Sequence, residues 1–195
     1  KSVVKARISR LDEECRNVLT MASFIGNDFT CGALSEITGI EEDRLLGIIE
    51  KILKTGLFKH RAIRQEDMCS FADIIVRDVV YEEVSPFRRK KLHRIVGGAL
   101  EKVYTTKIDE HFGELAFHFL ESGDKSKALD YFLKAGERAT RIYANNEAAS
   151  YFQSAVRLLE EEEGELREKG FALERLGDVK RLVGELNEGM KYWSD

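Results

Sequence analysis

The sequence predicts an almost all-helical fold in two parts, interrupted by a single β-hairpin. Three observations predict it. Apolar residues recur at helical spacing along most of the 195 residues, and Pro86 is the one proline. Between Leu57 and Ala72 that spacing gives way to two short apolar runs around a polar link. Ala, Leu, Glu, Lys and Arg dominate, which favours helix. With 43% hydrophobic and 34% charged residues the chain is apolar enough to fold and too apolar for a disordered one.

The first part reads as three short helices and then the hairpin. Ser9, followed by the acidic turn Asp12 to Glu14, is placed to cap a helix from about Arg10 to Ile25, with Leu11, Cys15, Val18, Leu19 and Ala22 on its apolar face. Gly26-Asn27-Asp28 breaks it. Thr30 caps a second helix through Leu34 and Ile37 that stops at Gly39. A third starts within Glu41 to Asp43, carries Leu45, Ile48, Ile49 and Ile52, and ends at Gly56. The runs Leu57–Ala62 and Met68–Ala72 flank Arg64-Gln65-Glu66-Asp67 as the hairpin, the only β-structure expected. Helices followed by a hairpin in this order are those of a winged helix, the second and third helices forming a helix-turn-helix and the hairpin its wing.

Helix resumes after Asp73, turns at Ser85-Pro86, and continues through Leu92, Val96 and Leu100. The stretch Thr105 to Asp109 is polar and weakly patterned, so it marks a junction between a module over residues 1–104 and a second one over 110–195. The second part carries the spacing of tetratricopeptide hairpins, in which small residues stand where helices cross. Leu115-Ala116 with Phe119, then Ala128, Phe132 and Ala135, fit it, with Ser122-Gly123-Asp124 as the link. Leu176-Gly177, then Gly189 and Trp193, fit it again, with a turn at Gly184. Ala148, Phe152 and Ala155 look like the second helix of another unit whose first helix would overlap Lys125 to Ile142. Ala128, Ala148 and Gly189 are separated by 20 and 41 residues, against about 34 in a regular array. An irregular array of antiparallel hairpins is therefore expected.

Charge and side-chain chemistry narrow the function. The net charge of −4 gives the chain no overall attraction for nucleic acid. Its basic cluster, Arg88, Arg89, Lys90, Lys91 and His93, reads either as a solvated helix surface or as an anion or partner patch. The acidic run Glu160 to Glu163 reads as a solvated helix end. Cys15, Cys31 and Cys69 lack metal-ligand spacing and suit buried thiols in a reducing compartment. The four histidines are scattered without cysteine or carboxylate partners at useful intervals, so no metal site is expected. No run approaches the roughly 20 apolar residues of a membrane span, and no signal peptide is evident. A cytoplasmic location is expected. The sequence starts at Lys1 without a methionine and stops at Asp195 in an uncapped helical pattern, so a longer chain is expected on both sides.

The segment Phe71-Ala72-Asp73-Ile74-Ile75-Val76-Arg77-Asp78-Val79-Val80-Tyr81-Glu82, followed by Arg88-Arg89 and Leu92-His93, resembles the region after the ATPase core in STAND-class signal-transduction ATPases related to the maltose-system activator. In that family the stretch commonly reads Phe, any residue, His, an aliphatic run, Arg-Asp and Tyr. The resemblance implies a winged helix lying against a nucleotide-binding domain, with ATP or ADP and Mg²⁺ bound by that upstream domain and no cofactor here. It also implies that the family's nucleotide-sensing histidine is replaced by Asp73, and that Arg77 is a candidate for an inter-domain ion pair with Asp73 beside it. A carboxylate repels phosphate unless Mg²⁺ or a basic group intervenes.

No glycine-rich loop ending in Gly-Lys-Ser or Gly-Lys-Thr occurs in the sequence, so no ATP hydrolysis is expected of it. The leading expectation is a non-catalytic regulatory and protein-interaction module of a larger signalling ATPase or transcription regulator. It would bind its own nucleotide-binding domain or another protein partner, and no membrane. The alternative is a DNA-binding winged helix. Its recognition helix would begin Glu41-Glu42-Asp43, opposed to phosphate, with Arg44, Lys51 and Lys54 in partial compensation.

Overall fold

A computed structural model describes residues 2–63, 66–161 and 166–182. The protein is mainly helical, with one small three-stranded antiparallel sheet. It divides into two compact units, Lys1–Val103 and Tyr104–Asp195.

Unit 1 opens with α1 (Ser2–Ile8), a helix not expected from the sequence. Its presence displaces the start of the next helix. The Ser9 hydroxyl donates back to the Ala6 carbonyl at the end of α1, so Ser9 closes that helix and caps no other. Asp12 caps α2 (Glu13–Ile25) instead, its carboxylate accepting from the Cys15 amide at 2.7 Å. Strand β1 (Asp28–Thr30) comes next and corrects the expectation that the hairpin is the only β-structure. Three residues are too few to show a period of two, and Thr30 serves both as strand end and as the cap of α3 (Cys31–Thr38), accepting from the Ala33 amide. Helix α4 (Glu42–Lys54) buries Leu45, Ile48, Ile49 and Ile52. Strands β2 (Phe58–Ile63) and β3 (Glu66–Phe71) form the hairpin, and the sheet order is β1-β3-β2.

Phe58 stands opposite Phe71, and Phe29 opposite Cys69. That register brings the rings of Phe29, Phe58 and Phe71 together edge to face, with centroids 5.0–6.1 Å apart and each ring 2% exposed. Edge-to-face packing adds about 0.5–1.5 kcal/mol per pair to the burial of the rings. Helices α5 (Ile74–Glu82) and α6 (Pro86–Val103) complete the unit, α5 packing on α2, and α6 on α2 and α3.

Unit 2 begins with a 3₁₀ turn, Ile108–His111, that runs into α7 (Phe112–Ser122). Gly123, in the left-handed region at φ 80°, ends α7 and allows a two-residue link to α8 (Lys125–Arg141), which Asp124 caps. Helix α9 (Asn145–Glu161) and helix α10 (Leu166–Leu182) complete the described chain. Helix α8 packs against both α7 and α9, and α9 also packs against α10. The overlap met in the sequence thus resolves: α8 is the second helix of one hairpin and the first of the next.

Side chains at the crossings are small, with Ala116, Ala128, Ala135, Ala148 and Ala155 all buried. At Gly136 a Cβ would lie 2.6 Å from the Phe152 ring, and at Gly113 it would lie within the Tyr151 side chain. These glycines let bulky rings of α9 reach the backbones of α8 and α7. The hairpin tip at Arg64-Gln65, the acidic positions Glu162 and Glu163, and Gly184, Gly189 and Trp193 lie outside the described residues. Among the described residues no helix is long and apolar enough to cross a membrane.

Candidate functional site

The segment from Asp73 to His93 holds every residue singled out for inter-domain contact or for an anion or partner patch. Asp73 is the N-cap of α5: its carboxylate accepts from the Ile75 amide at 2.9 Å. Arg77, one turn on, donates from Nε to the Ser23 carbonyl at 3.2 Å, placing a cation by the last turn of α2, where the helix dipole favours it. Arg89 reaches back from α6 to the end of α5. Its Nε donates to the Val84 carbonyl at 2.8 Å and its Nη2 to that of Glu82 at 3.0 Å, while the guanidinium lies 4.6 Å from the Tyr81 ring centre.

His93 is fully buried. It shares a hydrogen bond of 3.0 Å between Nε2 and the Tyr81 hydroxyl, and the ring of Phe24 packs on both. Burial, with the cations of Arg89 and Arg77 close by, lowers its pKa to about 4, so the imidazole is neutral at physiological pH. The sequence cluster is thereby divided: Arg89 and His93 turn inward and fasten α5, α6 and α2 to one another, while Arg88, Lys90 and Lys91 do not share in that packing.

Arg88 borders two adjoining grooves on the face made by α2 and α6, of about 620 and 320 Å³, which share Asn17, Thr20 and Arg88. The half-buried Met21 and the buried Val18 and Leu92 line the larger, and Arg16 and Ser85 line the smaller. Sequence reasoning missed this use of α2. Arg16, Asn17 and Thr20 sit at helical spacing opposite the buried stripe, which marks an exposed polar face, but no pattern says that α6 comes to lie beside it. Two acids line the larger groove, Glu13 and Glu14, of which Glu14 forms an ion pair with Arg44; Asp12, at the head of α2, lies 3.6 Å from the Lys51 ammonium.

Unit 2 has a polar cluster of its own. Tyr104 stacks on His111 with centroids 3.4 Å apart, and His111 Nδ1 lies 2.9 Å from a Glu114 carboxylate oxygen. Burial raises the Glu114 carboxyl pKa, against the opposing pull of His111. Burial, and then the charge of Glu114, push the Tyr104 phenol up to about 12. Among the described residues no group of three or more His, Cys, Asp or Glu is placed to hold a metal ion, and no disulfide joins the cysteines, of which Cys15 and Cys69 are buried and Cys31, against the expectation of a buried thiol, is half-buried. Burial above all raises the Cys15 thiol to about 11, which keeps it protonated. Compared with protein-family models, curated proteins and solved structures, the chain matches none of them.

Proposed function

We propose that the chain is a non-catalytic regulatory and interaction portion of a larger cytoplasmic signal-transduction ATPase or transcription regulator. Unit 1 is read as a winged helix that couples to a nucleotide-binding domain. Unit 2 is read as an irregular set of tetratricopeptide-type hairpins that bind a partner or signal. The order α2, β1, α3, α4, β2, β3 supports the first reading. Small residues and glycines at successive helix crossings support the second.

One observation carries the choice of a protein over DNA as the partner. Two of the three cations of α4 that would meet phosphate, Arg44 and Lys51, are engaged by Glu14 and Asp12 of α2, which leaves Lys54 alone to answer a duplex. Freeing them costs an ion pair each, and the released carboxylates would repel the duplex. Asp73 caps α5 by accepting from the Ile75 amide, and is read as a structural residue of that helix. Two assays test the proposal. Duplex DNA at low salt leaves fluorescence anisotropy unchanged, and salt-dependent binding lost on reversing Arg44 and Lys51 would replace this reading with the DNA-binding one. ATP is not hydrolysed, and hydrolysis abolished by a point change within the chain would refute a non-catalytic role.

A further inference from the structure

We infer that the α2–α6 face of unit 1 docks an acidic, amphipathic protein segment. Arg16 and Arg88 clasp a carboxylate of that segment, and its apolar side chains pack on the half-buried Met21 beside the buried Val18 and Leu92. The inference rests on the protein-facing reading proposed for the chain and names the chemistry of the partner.

Arg88 carries its charge in an unfavourable place, the first turn of an 18-residue helix, where the dipole disfavours a cation. Its neighbour Arg89 offsets the same penalty by donating to the carbonyls of Val84 and Glu82. Arg88 has no such compensation: among the described residues it makes neither an ion pair nor a hydrogen bond through its guanidinium, and the same holds for Arg16 across the smaller groove. Glu83, the carboxylate lining that groove, is engaged by Lys5 at 3.3 Å. Two guanidiniums from two helices thus face one cleft with their charge unanswered. Planar guanidiniums bind carboxylates with paired, charge-assisted hydrogen bonds.

The rest of the face selects among anions. The adjoining 620 Å³ groove has room for several side chains over Met21, which is half-buried, with the buried Val18 and Leu92 beneath. Arginine beside apolar surface is a feature of protein interfaces. Asp12, Glu13 and Glu14 at the head of α2, with the net charge of −4, oppose a continuous phosphate chain. A single carboxylate spaced among apolar side chains meets both conditions.

The test is a fluorescence anisotropy titration of the 195-residue chain with three labelled probes: a helical leucine-bearing peptide with one central glutamate, its Glu→Gln counterpart, and a duplex DNA oligonucleotide. Saturable binding of the acidic peptide is expected. It should weaken roughly tenfold or more in the glutamine peptide and in the Arg16→Glu and Arg88→Glu variants, and change little in Lys90→Glu, which keeps the groove. Both arginines are exposed, so thermal melts of the variants should overlay that of the parent. No saturable binding, equal binding of the glutamine peptide, or an equal loss in Lys90→Glu would overturn the clasp. Peptide binding that ignores Arg16 and Arg88 defeats this inference alone. DNA binding lost on reversing Arg44 and Lys51, without peptide binding, defeats the protein-facing reading beneath it.

Discussion

The two units are helical by different means. Unit 1 fills its interior with large side chains: Leu19, Leu34, Leu45 and Ile52 are fully buried, and the Phe29, Phe58 and Phe71 rings tie the sheet together. Unit 2 brings its helices close through alanine and glycine and inserts a few bulky rings of α9 into the space left, Phe152 against Gly136 and Tyr151 against Gly113. Unit 1 is therefore most sensitive to losing volume, and unit 2 to gaining it.

The sharpest break of that contrast is Phe29→Ala, which removes one buried ring of the aromatic trio. It should cost about 3–5 kcal/mol in chemical denaturation, with loss of amide protection concentrated in β1, β2 and β3. Gly136→Ala tests the other side. The new methyl meets a Phe152 ring that is itself fully buried and has nowhere to go, so the variant should lose about 1–3 kcal/mol. A second change, Phe152→Leu, should restore part of that loss although alone it destabilises. Additive losses in the double variant would show that the close approach is not what Gly136 supplies. Asp73→Ala removes only a cap and should cost about 1 kcal/mol, with Asp73→Asn nearly neutral. An Asp73→Ala variant as stable as the parent would leave the carboxylate without its structural role.

Legibility in the sequence tracked length and period. Helices α3 and α4, with caps at Thr30 and within Glu41 to Asp43, could be read to within a residue or two, because each has an amphipathic stripe and a glycine at or just past its end. Strand β1 could not, since three residues show no alternation and its pairing with β3 is a long-range event. Helix α1 was hidden by Ser9, which looks like an N-cap and acts as the end of the preceding helix. The same limit applies to the candidate site. Arg88 was visible as part of a basic run, but the inward turn of Arg89 and His93 depends on Tyr81 and Phe24, residues brought there by packing. Arg16 carried no signal beyond facing away from the buried stripe of α2.

The smallest effect at neutral pH separates the units by their buried polar groups. His93 is held neutral in unit 1, with a folded pKa of about 4 against an ordinary value of 6.5. Between those values the unfolded chain binds a proton that the folded chain does not, so stability falls as pH drops from 6.5 toward 4 and is unaffected above that window. Glu114 in unit 2 has the opposite sign. Its raised carboxyl pKa means the folded chain takes up a proton before the unfolded one, and acidification relieves the cost of its buried charge. Hydrogen exchange, expressed as protection factors residue by residue, should therefore show α5 and α6 loosening as pH falls through this window while α7 holds. In His93→Gln, whose amide keeps a partner for the Tyr81 hydroxyl without titrating, the pH dependence of α5 and α6 should flatten. Equal loosening of α7, or an unchanged slope in that variant, would mean that the acid sensitivity of unit 1 does not reside in the Tyr81–His93 pair.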